Sequence, residues 1–214
     1  MAQITIAHNQ NDGGYGVPDS YMNNFSPTAN YGGDTTFYLG AGNAKTTPVR
    51  RPWIRFHLGV IPSGSTINSA LLRFYAATAA ASAELAYVFR CLRTYGVVES
   101  EITWNQWKDG ENWSAGGGDY YTGFYASFNL PTSQGSFDIT GMKVLVDDAI
   151  ADRDNWLSVI IRRGSESSPD AFIEIISKEE SIETQWWPKL IVDYTAPSGN
   201  PWWCYHRNKM RRAQ

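Results

Sequence analysis

Short segments in which apolar and polar residues alternate restrict the fold of this chain most strongly. In Trp53-Ile-Arg-Phe-His-Leu58, the odd-numbered residues share one face of a strand and the apolar even-numbered residues share the other. Met1–His8 alternates in the same way. Further segments of this kind, bounded by Gly, Pro, Asn or Ser, are Thr35–Leu39, Val49–Leu58, Ala70–Ala76, Leu85–Leu92, Trp156–Arg162, Ala171–Ser177 and Lys189–Thr195. The alternation predicts antiparallel strands with one buried face.

One segment has helical spacing instead. Its apolar residues are Met142, Leu145, Val146, Ala149 and Ile150, and Thr140 is the predicted N-cap. About ten strands, one short helix and no βαβ rhythm predict an all-β fold, a jelly-roll-like antiparallel β-sandwich. The sandwich is predicted to span residues 1–195, and residues 196–214 are predicted to form an aromatic and basic C-terminal tail.

Composition excludes several classes of protein. The 214 residues are 43% hydrophobic and include 9 Trp, 12 Tyr and 9 Phe, which is typical of a packed domain and not of a disordered chain. No apolar run approaches the roughly 18 residues of a membrane span, so membrane insertion is not expected. Residues 1–199 hold 14 Lys and Arg against 21 Asp and Glu, a net charge of −7. We therefore expect no nucleic-acid binding, because phosphate contacts need clustered cations.

The sequence lacks the common catalytic motifs. It contains no G-x-S-x-G, H-E-x-x-H, C-x-x-C, P-loop or G-x-G-x-x-G. Glu99 and Glu101 are two residues apart in a strand-like segment, so their carboxylates would reach one side of a sugar and would not flank a glycosidic bond. The prediction is that the chain is not an enzyme. The alternative, a polysaccharide lyase or hydrolase, needs a pair of basic or carboxylate side chains that converge in a cleft, and no motif supplies such a pair.

Several motifs resemble the DNRLRE domain family. The matching segments are Asp19-Ser-Tyr-Met22, Asn30-Tyr-Gly32, Thr36–Leu39, Trp53–Tyr75, Val97–Asn105, Phe137–Gly141, Asn155–Arg162 and Pro188–Tyr194. Val97 stands where the family has a Trp, and His57 stands where it usually has an Asp. The resemblance implies a jelly-roll β-sandwich without catalytic apparatus. Its members resemble carbohydrate-binding modules of polysaccharide-active enzymes, and others are structural proteins that include phage virion components.

The least regular stretch, Trp104–Tyr121, is the predicted glycan-binding loop. It places Trp107, Trp113, Tyr120 and Tyr121 among Gly, Asn, Asp and Lys. Aromatic rings bind the C–H faces of sugars, while amides and carboxylates bind their hydroxyls. The alternative is that the loop pins itself to the sandwich with its own aromatic residues.

Two further predictions concern metal ions and assembly. A weak Ca²⁺ site is predicted at Asp19, Asp119 or Asp138, each of which has the alternative role of capping a turn. In the tail, large amphipathic and basic residues are expected to dock on acidic neighbouring copies, with folding back over the same sandwich as the alternative. These assembly-contact candidates are Trp202, Trp203, Tyr205, Arg207, Arg211 and Arg212.

The function favoured by the sequence is a non-catalytic structural protein of a phage virion, such as a decoration, fibre or tail-surface component. Its partners would be copies of itself, other virion proteins and cell-surface polysaccharide. The first eight residues lack the basic and apolar regions of a signal peptide, so assembly in the host cytoplasm is expected. The alternative is a carbohydrate-binding module that recognises a polysaccharide outside any virion.

Overall fold

The computed structural model describes residues 1–41, 48–93, 96–166 and 171–198, and these form an antiparallel β-sandwich with a short helix. The strands are β1 (Ala2–Ala7), β2 (Asp19–Asn23), β3 (Thr36–Ala41), β4 (Val49–His57), β5 (Thr66–Ala76), β6 (Leu85–Cys91), β7 (Gln106–Lys108), β8 (Glu111–Asn112), β9 (Tyr120–Asn129), β10 (Gly135–Ile139), β11 (Trp156–Arg163), β12 (Ala171–Ile176) and β13 (Lys189–Thr195). The helix is α1 (Lys143–Asp152), and a 3-10 turn covers Thr184–Trp186. The predicted all-β sandwich is confirmed.

The strands form two layers joined by β3 and β12. One hydrogen-bonded path runs β1-β13-β5-β12-β3-β4-β11-β6-β9, with β10 added to β5 and β2 added to β4. One layer therefore holds β1, β13, β5 and β10, and the other holds β2, β4, β11, β6 and β9. β7 and β8 form a separate hairpin.

The main core fills the space between the two layers. Ile54 and Phe56 of β4 belong to the same buried cluster as Leu72 and Phe74 of β5. Burial of such side chains is worth about 1.5–3 kcal/mol each, so this interior supplies most of the stabilisation of the sandwich. Ile54 and Phe56 of β4 thus face inward, as the alternation predicts.

Helix α1 lies at the end of the sandwich and contacts β5, β9 and β11. Leu145, Val146 and Ala149 are buried, as the helical spacing predicts. The predicted cap at Thr140 is wrong: the N-cap residue is Met142, whose carbonyl accepts the first helical N–H groups. Thr140 precedes a turn at Gly141 with φ of 80°, so its hydroxyl is too early in the chain to cap the first turn. No helix among the described residues is long and apolar enough to span a membrane.

Candidate functional site

The outer face of the layer β2-β4-β11-β6-β9 carries aromatic residues in two different situations. Residues that alternate with the main core point outward here, among them Trp53 of β4 and Ile160 of β11, which are paired across the two strands. The alternation predicts that this face is open to solvent. That expectation is wrong for its centre, because Trp53 is fully buried beneath residues 96–118, which we call the covering segment.

The covering segment and the centre of the outer face form a second hydrophobic cluster. Its buried members are Met22, Trp53, Cys91, Val97, Ile102, Trp107, Trp113 and Ile160, with Trp104 and Tyr120 at its margin. The indole N–H of Trp53 donates to Ser158 Oγ at 2.9 Å, and that of Trp113 donates to the Thr103 carbonyl at 3.0 Å. Burial raises the pKa of the Cys91 thiol to about 12, so this thiol is unreactive near neutral pH.

Glu99 anchors the start of the covering segment to the sandwich. Its Oε1 accepts the backbone N–H of Asp19 at 2.7 Å and lies 3.0 Å from Lys178 Nζ. Asn30 Nδ2 donates to the carbonyls of Glu99 at 2.6 Å and of Ile102 at 2.8 Å. The segment is therefore fixed by hydrogen bonds and an ion pair to buried Asp19, half-buried Lys178 and exposed Asn30.

The glycines near the end of the covering segment allow it to lie close to the sheet. A Cβ atom on Gly118 would lie 2.4 Å from Ile160 Cδ1, and one on Gly117 would lie 2.7 Å from both Arg51 Nη1 and Trp104. Both residues also have positive φ, at 98° and 81°. The Gly-rich composition of this stretch is therefore a packing requirement.

Beyond the covering segment, the outer face carries a group of four aromatic rings that we call the tyrosine platform: Tyr87, Phe89, Tyr120 and Tyr125. Tyr87 and Phe89 alternate along β6, and Phe89 is paired with Tyr125 of β9. Ring centroids are 4.9 Å apart for Phe89 and Tyr120, 5.5 Å for Tyr87 and Tyr125, and 5.8 Å for Phe89 and Tyr125. Phe89 is buried beneath the group, whereas Tyr125 is 48% exposed and the other two are half-buried.

A charged triad, Arg51, Arg162 and Glu166, borders the platform. Arg51 makes two hydrogen bonds with Glu166, at 2.8 Å and 2.7 Å, and Arg162 Nη2 lies 3.2 Å from the same carboxylate. Arg162 Nη1 donates to the Tyr120 hydroxyl, and the guanidinium of Arg51 lies 4.9 Å above the ring of Trp104. Fixed guanidinium and carboxylate groups therefore lie beside flat apolar rings, the combination that suits sugar hydroxyls and C–H faces.

The predicted glycan-contact residues fall into three environments. Trp107 is 9% exposed and Trp113 is 5% exposed, so both indoles pack in the second cluster and do not present an open ring face. Tyr120 belongs to the tyrosine platform. Tyr121 is exposed but lies beside Arg90, whose guanidinium is 4.4 Å from its ring and pairs with Asp148 of α1. The alternative role of the loop, in which its own aromatic residues hold it against the sandwich, describes Trp107 and Trp113.

Sequence reasoning missed Tyr87, Phe89 and Tyr125 as members of this surface. The alternation of Tyr87 and Phe89 was a readable signal that they share a face. The partner strand, Tyr120–Asn129, was not predicted. Its pairing with β6 also contains a shift of register at Phe89 and Arg90 that no sequence pattern indicates.

The three carboxylates of the predicted calcium site have separate partners. Asp19 accepts the backbone N–H of Lys178 at 3.0 Å, Asp119 accepts the N–H groups of Ser114 and Ala115, and Asp138 pairs with Arg73 at 2.6 Å and 2.7 Å. Among the described residues, no three His, Cys, Asp or Glu side chains converge as metal ligands would. Calcium binding at any of these residues stays a prediction. The assembly-contact candidates of the tail, from Trp202 to Arg212, lie outside the described residues.

An all-β sandwich with an open aromatic surface and no recognised catalytic motif has the features of a carbohydrate-binding module. Related sandwiches are common in this class of protein. Comparison with protein families agrees and is more specific. The model of carbohydrate-binding module family 96 matches residues 16–192, and the chain belongs to that family.

Other comparisons add little. No curated protein matches the chain. Among solved structures, the K1 cleaved adhesin domain of Lys-gingipain from Porphyromonas gingivalis W83 is similar at 11% sequence identity, over 92% of this chain and 100% of that one, with a TM-score of 0.25.

Proposed function

We propose that this chain is a non-catalytic carbohydrate-binding module that binds a polysaccharide on the tyrosine platform. The observation that carries the proposal is the group of Tyr87, Tyr120 and Tyr125, which are half-buried or exposed beside the charged triad, on a face whose centre is covered. Membership of carbohydrate-binding module family 96 supports the class of ligand.

The platform has the physical properties that sugar binding requires. Its rings are held by Phe89, which is buried, and by strand pairing between β6 and β9, so little conformational entropy is lost when a ligand stacks on them. The triad supplies donors and an acceptor that are already fixed by their own ion pairs. A sugar would therefore meet a preorganised surface.

Affinity electrophoresis in gels that contain glucans, xylan, mannan or uronic-acid polysaccharides tests this proposal. We expect the wild-type chain to be retarded by at least one polymer, and Tyr125→Ala to weaken that affinity at least tenfold, equivalent to about 1.4 kcal/mol. Phe25→Ala is the matched control, because Phe25 is 66% exposed and belongs to neither the platform nor the second cluster. Loss of retardation in both variants, or in neither, contradicts the platform assignment.

The virion role and the specific resemblance to the DNRLRE family remain predictions. Nothing in the fold or in the comparisons distinguishes a phage component from another bearer of this module, and the family match favours polysaccharide recognition. Mass spectrometry of purified particles from the source tests the virion role. Detection of this chain as a stoichiometric particle component would support it, and its absence from particles would reject it.

A further inference from the structure

A second exposed aromatic group lies on the same outer face, on the other side of the covering segment. It consists of Tyr15, Arg55, His57 and Trp156, which we call the Tyr15 cluster. Ring centroids are 4.3 Å apart for Tyr15 and His57, 5.0 Å for Tyr15 and Trp156, and 4.5 Å for His57 and Trp156. The guanidinium of Arg55 lies 4.7 Å from the Trp156 ring. Tyr15 covers the other rings and is 57% exposed.

The backbone around this cluster is unusual. In the described part of the chain, the non-glycine residues with positive φ are Asn9, Asn11, Asp154 and Asn155. The first two lie in the loop that carries Tyr15, and the other two lie in the turn between α1 and Trp156, where the N–H of Asn155 donates to the Ala149 carbonyl at 3.0 Å. Asn and Asp tolerate this conformation better than other residues, yet it is still sparsely populated. Conformations of this kind persist where the surrounding structure enforces them, and they concentrate at ligand sites.

The loop that carries Tyr15 is held rigidly by a buried carboxylate. Asp12 accepts the backbone N–H groups of Asn9 at 2.8 Å and of Gly14 at 2.9 Å. The imidazole of His57 packs closely against the backbone, since a Cβ atom on Gly59 would lie 2.5 Å from its Cε1. An exposed tyrosine ring is therefore fixed above a packed base, which is uncommon for a surface loop and is what a stacking platform requires.

Two polar atoms at the base of the cluster also lack partners. Within the described residues, His57 Nδ1 and Arg55 Nε are buried and make no hydrogen bond. Unpaired buried polar atoms are costly, and Ser20 Oγ and Ser65 Oγ are further examples among the described residues. The two atoms therefore support a binding site only together with the exposed ring above them.

We propose that the Tyr15 cluster is a second, separate carbohydrate-binding site that holds one pyranose unit against the ring of Tyr15. The proposal rests on the proposed function, since it assigns the same class of ligand. The loop that carries Tyr15 also contains Asn9, whose exposed side-chain amide has the donor and acceptor groups that sugar hydroxyls need. The module thus has two contacts with polysaccharide.

The two sites are separated by distance and by the covering segment. Trp156 of the Tyr15 cluster and Arg162 of the charged triad lie on the same strand, six residues or about 20 Å apart. Between them, Ile160 and its neighbour Trp53 are buried by the second cluster. A short oligosaccharide therefore cannot lie on both sites, whereas a long polymer can engage them together and gain avidity.

Site-resolved NMR titration with cellotriose, xylotriose, mannotriose and trigalacturonate tests the proposal. At saturation with a trisaccharide that binds, we expect ring signals of both Tyr15 and Tyr125 to shift in the wild-type chain. Tyr15→Ala should abolish binding at its own site and leave the Tyr125 shifts unchanged, while Tyr15→Phe keeps the ring and should keep binding. Tyr125→Ala should have the reciprocal effect, and Phe25→Ala should affect neither site.

The remaining outcomes are distinguishable. Shifts at Tyr125 alone overturn the second site and leave the proposed function intact. Shifts at Tyr15 alone support the second site and overturn the tyrosine platform. Shifts at neither residue with all four sugars overturn both. If Tyr15→Ala changes the sedimentation coefficient without any sugar-dependent shift, the cluster binds another copy of the chain and the second site is rejected.

Discussion

The covered and the open parts of the outer face contain the same kind of residue in opposite roles. Trp107 and Trp113 lie in the second cluster, where they bury the centre of the sheet, whereas Tyr87 and Tyr125 remain accessible a few strand positions away. The difference is set by the covering segment, which reaches only part of the face. Aromatic content in a loop therefore does not identify a binding surface unless it is known what covers the rings.

The largest expected effect is loss of stability in the covered part. Trp113→Ala removes a 5% exposed indole and its hydrogen bond to Thr103, so we expect it to lower the free energy of unfolding by about 3–5 kcal/mol. Tyr125→Ala, in the open part, should change it by no more than about 1 kcal/mol. Urea denaturation of both variants provides the measurement. Equal losses would mean that the two parts of the face do not differ in role.

The sequence predicts the strands of this fold better than it predicts the site. Alternation in Val49–Leu58 and Trp156–Arg162 places β4 and β11 correctly, because a period of two reports directly which side chains share a face. It does not show that Trp53 is covered, since that depends on where a segment more than 40 residues later in the chain packs. The tyrosine platform requires the pairing of β6 with β9, which is a long-range contact without a local signal.

The next effect concerns the anchor of the covering segment. Glu99→Ala leaves the Asp19 N–H without its acceptor and removes one of the two carboxylate partners of Lys178, the other being Glu179, so we expect a loss of about 1–3 kcal/mol. Glu99→Gln keeps an acceptor for that N–H and should lose less. Amide hydrogen exchange should accelerate in residues 96–118, while affinity at the tyrosine platform should be unchanged. Faster exchange at β6 and β9 instead would show that the two parts are not independent.

A pH dependence is expected at the same junction. Burial raises the pKa of Asp19 from 3.8 to about 8, so between these values the folded chain holds a proton that the unfolded chain has released. Raising the pH across this window therefore favours unfolding, and the stabilisation present at low pH is lost as the pH approaches 8. Burial lowers the pKa of His57, which gives the opposite trend near pH 6.5.

Asp19→Asn separates these two contributions. The difference in the free energy of unfolding between the wild-type chain and Asp19→Asn removes the His57 effect, because both proteins contain that residue. We expect the wild type to lose stability relative to the variant from pH 5 to 8 and to level off above that. Urea denaturation across this range measures the difference. A difference that is constant with pH would mean that Asp19 is ionised throughout.

The smallest effect on stability is expected from truncation after Pro197. The last strand among the described residues, β13, ends at Thr195, so every described strand pair remains in the shortened chain. The free energy of unfolding should therefore change by no more than about 0.5 kcal/mol. The removed residues include Trp202, Trp203 and Arg207, for which we propose contact with a neighbouring copy. Sedimentation should then show association of the full chain and a monomer after truncation. Identical sedimentation would reject the contact.

The affinity of the tyrosine platform for polysaccharide should be the same in both proteins, because an open surface does not depend on the tail. An increase in polysaccharide affinity on truncation would instead place the tail on the platform, and the part of the outer face described as open would be covered in the full chain.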